Sequence, residues 1–391
     1  MKKAWWGLVG LLVVALIGVA IFLATFDANR YRPLVVEKLQ AAIGRPVRLE
    51  HLRLAWHGGV AVELQRLAVG EPDAATLEPL FEADTVSAVV KLLPLLKKQV
   101  EIDSLQIRHG SVRWNGRRVD QLSADAVVRP DRLEVRRVQA AFAGGTIHGA
   151  GTVEQLTTIP QLTLKVSADS LKLDVLAPPR VPGEPSLEGL LSATYQVTAQ
   201  GREMATWEQS ASGSGRLSIT QWKVANLNVL REVFQRLSML PGLVERLQSQ
   251  LPASYAEKLN ARDTVFEPLE VPMTFERGTV HLGALRLASD SFEMEGAGDV
   301  GLNGTVAVQS RLRIDPDLSA ALMRSVEELG ALADAKGRLE LPLMIQGTLP
   351  QISVVPDLQY VASRVLVTKA QEWLGNALQR ALEKSQGEQA P

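Results

Sequence analysis

Leu162-Thr163-Leu164-Lys165-Val166-Ser167-Ala168-Asp169 is the stretch whose reading decides the fold. Apolar and polar residues alternate without a break, so an extended chain carries one set on each side. Leu171, Leu173 and Val175 continue the alternation after a one-residue change of phase. Upstream, Val60, Val62 and Leu64 alternate with Ala61, Glu63 and Gln65. Before them Leu49, Leu52 and Leu54 interleave with Arg48, Glu50 and Arg53, with one slip near His51. Downstream, Val306, Val308, Leu312 and Ile314 alternate with Thr305, Ala307, Gln309, Arg311 and Arg313, and Leu339, Leu341, Leu343 and Ile345 repeat the pattern. Gly144, Gly145, Gly149, Gly151, Gly296, Gly298, Gly301 and Gly304 suit hairpin turns and bulges. The period of two predicts about 16–18 strands, mostly in consecutive meander order.

An antiparallel sheet with one apolar face has to cover that face. A sandwich, barrel or solenoid does it with a side-chain core. A sheet curled into a trough does it with lipid chains. Periodicity leaves both open. The aromatic content of 5% leaves few large side chains to plug an interior and favours the trough.

Four helical insertions interrupt the strands. They are Leu92 to Lys98, broken by Pro94; Asn226 to Leu247, kinked at Pro241-Gly242; Asp317 to Ala335; and Asp357 to about Lys384. The last carries an apolar stripe with Val361, Val365, Leu366, Trp373, Leu374 and Leu378 as its contact face. That stripe can pack on the sheet, touch a membrane surface or dock a partner helix. Ala177 to Pro185 holds four prolines in nine residues, which excludes a central strand. It is the expected linker between a module over 27–176 and one over 186–356, with 357–391 as helix and tail.

The N-terminus places the chain at a membrane. Ala4 to Phe26 contains no charge. As a helix those residues would span roughly 34 Å, against a bilayer core of about 30 Å. Leu11, Leu12, Val13, Val14, Leu16, Ile17, Ile21, Phe22 and Leu23 supply the apolar body, and Trp5 and Trp6 fall at an interfacial belt. The bulky end, Phe22 to Phe26, lacks the small residues of a signal cleavage site, so an uncleaved anchor over 1–26 is expected. Lys2 and Lys3 favour a cytoplasmic N-terminus. Asp27 to Ile43 then reads as a helix, with Gly44 as its stop.

The net charge of −1 does not suggest nucleic acid, and the absence of cysteine removes disulfides, thiolate metal sites and cysteine nucleophiles. His51, His57, His109, His148 and His281 show no zinc spacing. Gly213-Ser-Gly215 is no nucleophile elbow, and its glycines are read as serving a turn. Gly296-Ala-Gly-Asp-Val-Gly301 has dinucleotide-loop spacing but lies between strand runs. No catalytic residue, cofactor or metal is assigned, and the chain is read as a non-enzyme.

Several segments together resemble the AsmA family of bacterial inner-membrane-anchored envelope proteins. They are Asp27-Ala-Asn-Arg-Tyr-Arg-Pro33, Ile43-Gly-Arg-Pro-Val-Arg-Leu-Glu50, Ser212-Gly-Ser-Gly-Arg-Leu-Ser-Ile219, Phe275-Glu-Arg-Gly-Thr-Val280, Leu285-Arg-Leu-Ala-Ser-Asp290, Glu295-Gly-Ala-Gly-Asp-Val300 and Leu341 to Pro350 followed by Pro356-Asp357. Gln99 to Pro185 carries no matching motif. The family is similar to the repeating-β-groove, bridge-like lipid transfer proteins. The resemblance implies an inner-membrane anchor, a periplasmic bulk, phospholipid transport and outer-membrane integrity. About 17 strands at ~4.8 Å give only about 80 Å, much shorter than the larger relatives. An assembly or regulatory factor acting through an envelope protein partner is therefore the alternative.

The groove residues expected to meet acyl chains of membrane phospholipids are Leu162, Leu164, Val166, Val306, Val308, Leu312, Leu339, Leu341 and Leu343. Val308→Glu or Leu164→Glu is expected to abolish lipid capture while the fold survives.

Overall fold

The computed structural model describes residues 27–57, 59–70, 79–91, 101–114, 116–179, 181–237, 245, 247, 249, 251–301, 303–349 and 351–367. The apolar run 4–26, the expected helix 92–98 and Trp373, Leu374 and Leu378 lie outside the described residues. Among the described residues no helix is long and apolar enough to cross a membrane. Among the described residues the chain is mainly β, with seventeen antiparallel strands in an open sheet arrangement and a few helices. It forms two compact units, 1–169 with 198–207, and 170–197 with 208–391.

In the first unit β1 (Val47–Trp56), β2 (Val60–Val69), β3 (Phe81–Val90), β4 (Ile102–Trp114), β5 (Arg117–Arg129), β6 (Arg132–Phe142), β7 (Gly145–Glu154) and β8 (Gln161–Lys172) each pair with the next. The slip read near His51 is a local break in the ladder with the register kept. The register passes from Leu49–Leu67 to His51–Gln65, and Arg66 between them has a φ of 53°. The change of phase after Asp169 is Ser170, with a φ of 55°. Beyond Lys172 the expectation of more strand fails. Leu173–Leu176 is one helical turn, α2, and Leu173 is buried in the second unit's core. The Pro-rich stretch 177–185 therefore lies inside the second unit, after its core has begun.

The first unit opens on a short 3-10 turn, Ala28–Tyr31, capped by the Asp27 carboxylate, which accepts from the Asn29 N–H at 3.1 Å. Helix α1 (Arg32–Ile43) follows, with Pro33 in its first turn. It ends at Gly44, whose φ of 70° is the left-handed stop the sequence predicts, and the Gly44 N–H donates to Gln40 O at 2.8 Å. Three side chains of this segment bond the side of β1 that faces away from β2. Asn29 Oδ1 accepts from the Leu52 N–H at 3.2 Å, Arg32 Nη1 donates to Glu50 O at 3.0 Å, and Gln40 Nε2 donates to Val47 O at 3.4 Å.

The second unit holds β9 (Ser186–Gln200) up to Val197, β10 (Ser212–Ala225), β11 (Thr264–Val265), β12 (Leu269–Glu276), β13 (Thr279–Ala288), β14 (Phe292–Gly301), β15 (Thr305–Ile314), β16 (Glu340–Thr348) and β17 (Gln351–Pro356). β10 pairs with β11 and β12, and β12 to β17 run as a meander. Gly213 and Gly215 sit inside β10 rather than in a turn, because the Tyr195 ring lies where a Gly215 side chain would be. Residues 296–301 are part of β14, so the dinucleotide-loop spacing belongs to a strand.

The helices are α3 (Met204–Ser210), α4 (Val229–Gln235), α5 (Ala253–Asn260), α6 (Pro316–Ser325), a 3-10 helix Glu327–Leu332 and a helix over 358–367. Asn228 caps α4 by accepting from the Arg231 N–H, and its Nδ2 donates to Lys258 O of α5 at 2.7 Å. Asp315 caps α6 through the N–H groups of Asp317 and Leu318. Fully buried Ser319 ties α6 to the sheet: its hydroxyl donates to Ile314 O at 3.1 Å and accepts from the Leu339 N–H at 3.0 Å. Ser319→Ala leaves both groups buried without a partner. A stability loss of about 1–3 kcal/mol is expected, read as a lower denaturation midpoint with unchanged m-value.

Candidate functional site

Register carries the apolar residues of the first unit into rows that cross the strands. One row runs Leu52, Leu64, Val86, Ile107, Ala124, Val138, Gly149, Val166, one residue from each of β1 to β8. The next runs Leu54, Val62, Ala88, Leu105, Ala126, Val135, Gly151, Leu164. Leu162 pairs with Val153 and Val153 with Leu133, beginning a third. Bulges between Ile107 and Gly110 and between Val135 and Val138 keep the apolar residues on one side. The reverse side carries Gln106, Asp125, Gln139, His148, Lys165 and Ser167.

The two ends of these rows differ in cover. Over β1 to β3, Val47, Leu49, Leu52, Leu67, Val69, Ala83 and Val86 are buried, with Val35, Val36 and Leu39 of α1 packed against them. Across β5 to β8 only Ala140, Val153 and Leu171 are buried among the described apolar residues. Leu162, Leu164, Val166, Val135, Val138 and Ile147 are half-buried. Among the described residues nothing is laid across this part of the apolar face. The middle of the face is built from small residues, Ala124, Ala126, Gly149 and Gly151, so it is shallowest in side chain where it is least covered. These positions lie in the segment without a recognisable motif. Their alternation with Thr146, His148, Ala150 and Thr152 is the signal that could have found them.

The second unit places its apolar face under helices. Val308, Leu312, Leu339, Leu341 and Leu343 are at most 4% exposed. They belong to one core with Leu230, Val233 and Phe234 of α4, Leu318 and Leu322 of α6, and Leu329 and Leu332. These five expected groove residues are core residues in this structure. Val308→Glu would bury a charge there, so the expectation that the fold survives it is withdrawn. Val306 differs: with Phe275, Val280 and Val300 it forms a half-buried row at the margin of that core. In the terminal helix Val361 is buried in the same core, Val365 packs against it, and Leu366 is exposed.

The second unit also carries an open cavity of about 830 Å³ on the polar side of β14 to β17, lined by Glu295, Gln309, Arg311, Arg313, Met344 and Leu358. Its charges are matched internally. Arg313 donates to Glu295 at 2.6 Å and to Glu340 at 3.0 Å, and the guanidinium holds the Glu295 carboxyl below the usual range. Arg311 lies 3.5 Å from Glu340. Such a site gives a charged ligand no net attraction. Tyr195 is pushed above the usual phenol value by burial, and its hydroxyl has no hydrogen-bond partner. His57, in the turn after β1, meets Glu63 at 2.8 Å, and His281 meets Asp299 at 2.6 Å as a cross-strand polar pair. Among the described residues no three His, Cys, Asp or Glu side chains gather as metal ligands would.

No curated protein and no solved structure matches the chain. A family model described as the AsmA family matches residues 1–114 and 104–283, well over half of the length. A mainly β chain of this kind, with an envelope-associated role in outer-membrane assembly or lipid transport implied by that match, belongs to the AsmA family.

Proposed function

We propose that this protein holds phospholipid acyl chains on the half-open face of β4 to β8 and takes part, without catalysis, in lipid transport to the outer membrane or in its homeostasis. The observation that carries this reading is the pair of apolar rows left uncovered, among the described residues, beyond the margin of the first unit's core at β4. From β4, where Leu105 and Ile107 still touch the covered core, to β8 the rows run about 19 Å, against roughly 15 Å for the half of a bilayer core that one chain fills. The face is therefore long enough for one chain laid across the strands, and the polar reverse side keeps the same strands wetted. The run 4–26 anchors the protein in the bacterial inner membrane with its N-terminus cytoplasmic and its bulk in the periplasm. Binding needs only apolar area, at about 25 cal/mol per Å² removed from water, and no chemical step.

A photocrosslinking amino acid placed at Leu164 in the full chain, and irradiated in cells, is expected to yield phospholipid adducts by mass spectrometry. The same probe at Lys165, on the reverse side, is expected to yield none. Equal yields at the two positions, or no lipid at either, overturn the reading. Leu164→Glu with the probe at Ile107 is expected to remove the adduct while the protein stays folded. A second reading, an assembly factor working through an envelope protein partner, is favoured by the exposed Leu366 and Val367. A protein adduct from Leu366, with no lipid adduct from Leu164, would select it.

A further inference from the structure

Helix α1 has a second side. Val35, Val36 and Leu39 face the core of β1 to β3. Leu34, Lys38 and Ala41 fall three or four residues apart on the opposite side. Leu34 is 52% exposed, Tyr31 just ahead of the helix is 49% exposed, and Arg30 and Lys38 are exposed beside them, with Glu37 as the one acidic residue of α1. A leucine and a tyrosine flanked by cations are the chemistry of a helix lying in a lipid headgroup layer.

Chain geometry puts this side close to where such a layer would be. The uncharged run ends at Phe26, and Asp27 begins the described chain. Residues 28–31 and 32–43 are already helical. At ~1.5–2.0 Å per residue, Leu34 therefore stands on the order of 12 Å from Asp27. Helical backbone cannot stretch to carry it farther. The headgroup region adds about 5–7 Å to each side of the bilayer core. The apolar side chains of a surface helix reach about 5–10 Å into it.

We infer that the outer side of α1 seats on an anionic phospholipid surface, holding the β1 end of the apolar rows against the leaflet. The inference rests on the anchor proposed above. The chain has no cysteine, so a single introduced thiol is the only site for a spin label. Val14→Cys, Leu34→Cys and Lys165→Cys variants of the full chain are labelled and reconstituted in vesicles of phosphatidylethanolamine and phosphatidylglycerol. Labels at 14 and 34 are expected to lose relaxation by a water-soluble nickel chelate and to gain it from lipid-dissolved oxygen, and the label at 165 to keep its nickel response. A label at 14 in lipid with one at 34 still open to nickel overturns the inference and leaves the anchor standing. A label at 14 open to nickel removes both. Arg30→Glu with Lys38→Glu is expected to restore nickel access at 34 in phosphatidylglycerol vesicles while 14 stays shielded. Unchanged access at 34 in that variant overturns the assignment of the surface as anionic.

Discussion

Gly149→Trp is expected to abolish lipid adducts from a probe at Leu164 while leaving the unfolding free energy within about 1 kcal/mol of the parent. Gly149 lies in the row between Val138 and Val166. A Cβ built there meets nothing closer than Val138 Cβ at 3.7 Å and Lys165 O at 3.8 Å, so a side chain can leave the backbone without displacing it. An indole would then cover part of the 150–250 Å² that such a ring occupies when it buries itself, and it would do so on the surface proposed for lipid. Gly151, two residues along, is the contrast. A Cβ there would stand 2.6 Å from Thr163 O and 3.3 Å from Leu164 Cα, both backbone atoms. Gly151→Ala has to push β8 aside and is expected to cost about 1–3 kcal/mol, seen as a lower thermal midpoint. Lipid loss with intact stability at 149, and stability loss at 151, separates occupation of the face from damage to the sheet. A Gly149→Trp protein that is stable and still crosslinks lipid at Leu164 would sink the proposed function.

Leu312→Ala is expected to destabilise the second unit by about 2–5 kcal/mol in denaturant unfolding, without changing lipid adducts at Leu164 in the folded protein. Leu312 is fully buried and pairs with Met294 and Leu341 in a core roofed by helices, so removing its isobutyl group leaves a cavity that packed neighbours refill only in part. The reporter is at hand, because Trp222 stacks on Phe266 at 4.3 Å within the same core. A loss under about 1 kcal/mol would mean the site is not packed as described. Lost lipid adducts at Leu164 in the folded variant would mean that the two units share one lipid path.

Leu164 and Leu312 stand in the same alternating pattern, and their fates differ. Period two is a local property of the chain and survives folding, so the strands, the ladder break near His51 and the phase change at Ser170 were legible. What lies on the apolar face is a tertiary property. In the second unit it is set by helices from 229–235, 253–260 and 316–332, remote in sequence from several strands they roof. The helix Ala253–Asn260 escaped notice because its apolar contacts are only Tyr255, Ala256 and Leu259, too few to set a period of 3.6. Leu173 and Val175 read as strand because alternation over three residues fits a helical turn equally well. The open face was half legible: Leu162, Leu164 and Val166 announce it, whereas Gly149 and Ala124 carry too little hydrophobic signal to be noticed alone.

The bonds from Asn29, Arg32 and Gln40 to β1 bear on how such a chain can change its length. A bare strand margin is a template on which another strand condenses, from the same molecule or a neighbouring one. Here three of the backbone groups that would serve as that template are already occupied. Copies of the protein are thus discouraged from pairing edge to edge at β1, and a strand could be added there only by displacing the segment that holds Asn29, Arg32 and Gln40. A hairpin inserted farther along would widen the sheet by about 9.6 Å and leave those three bonds in place.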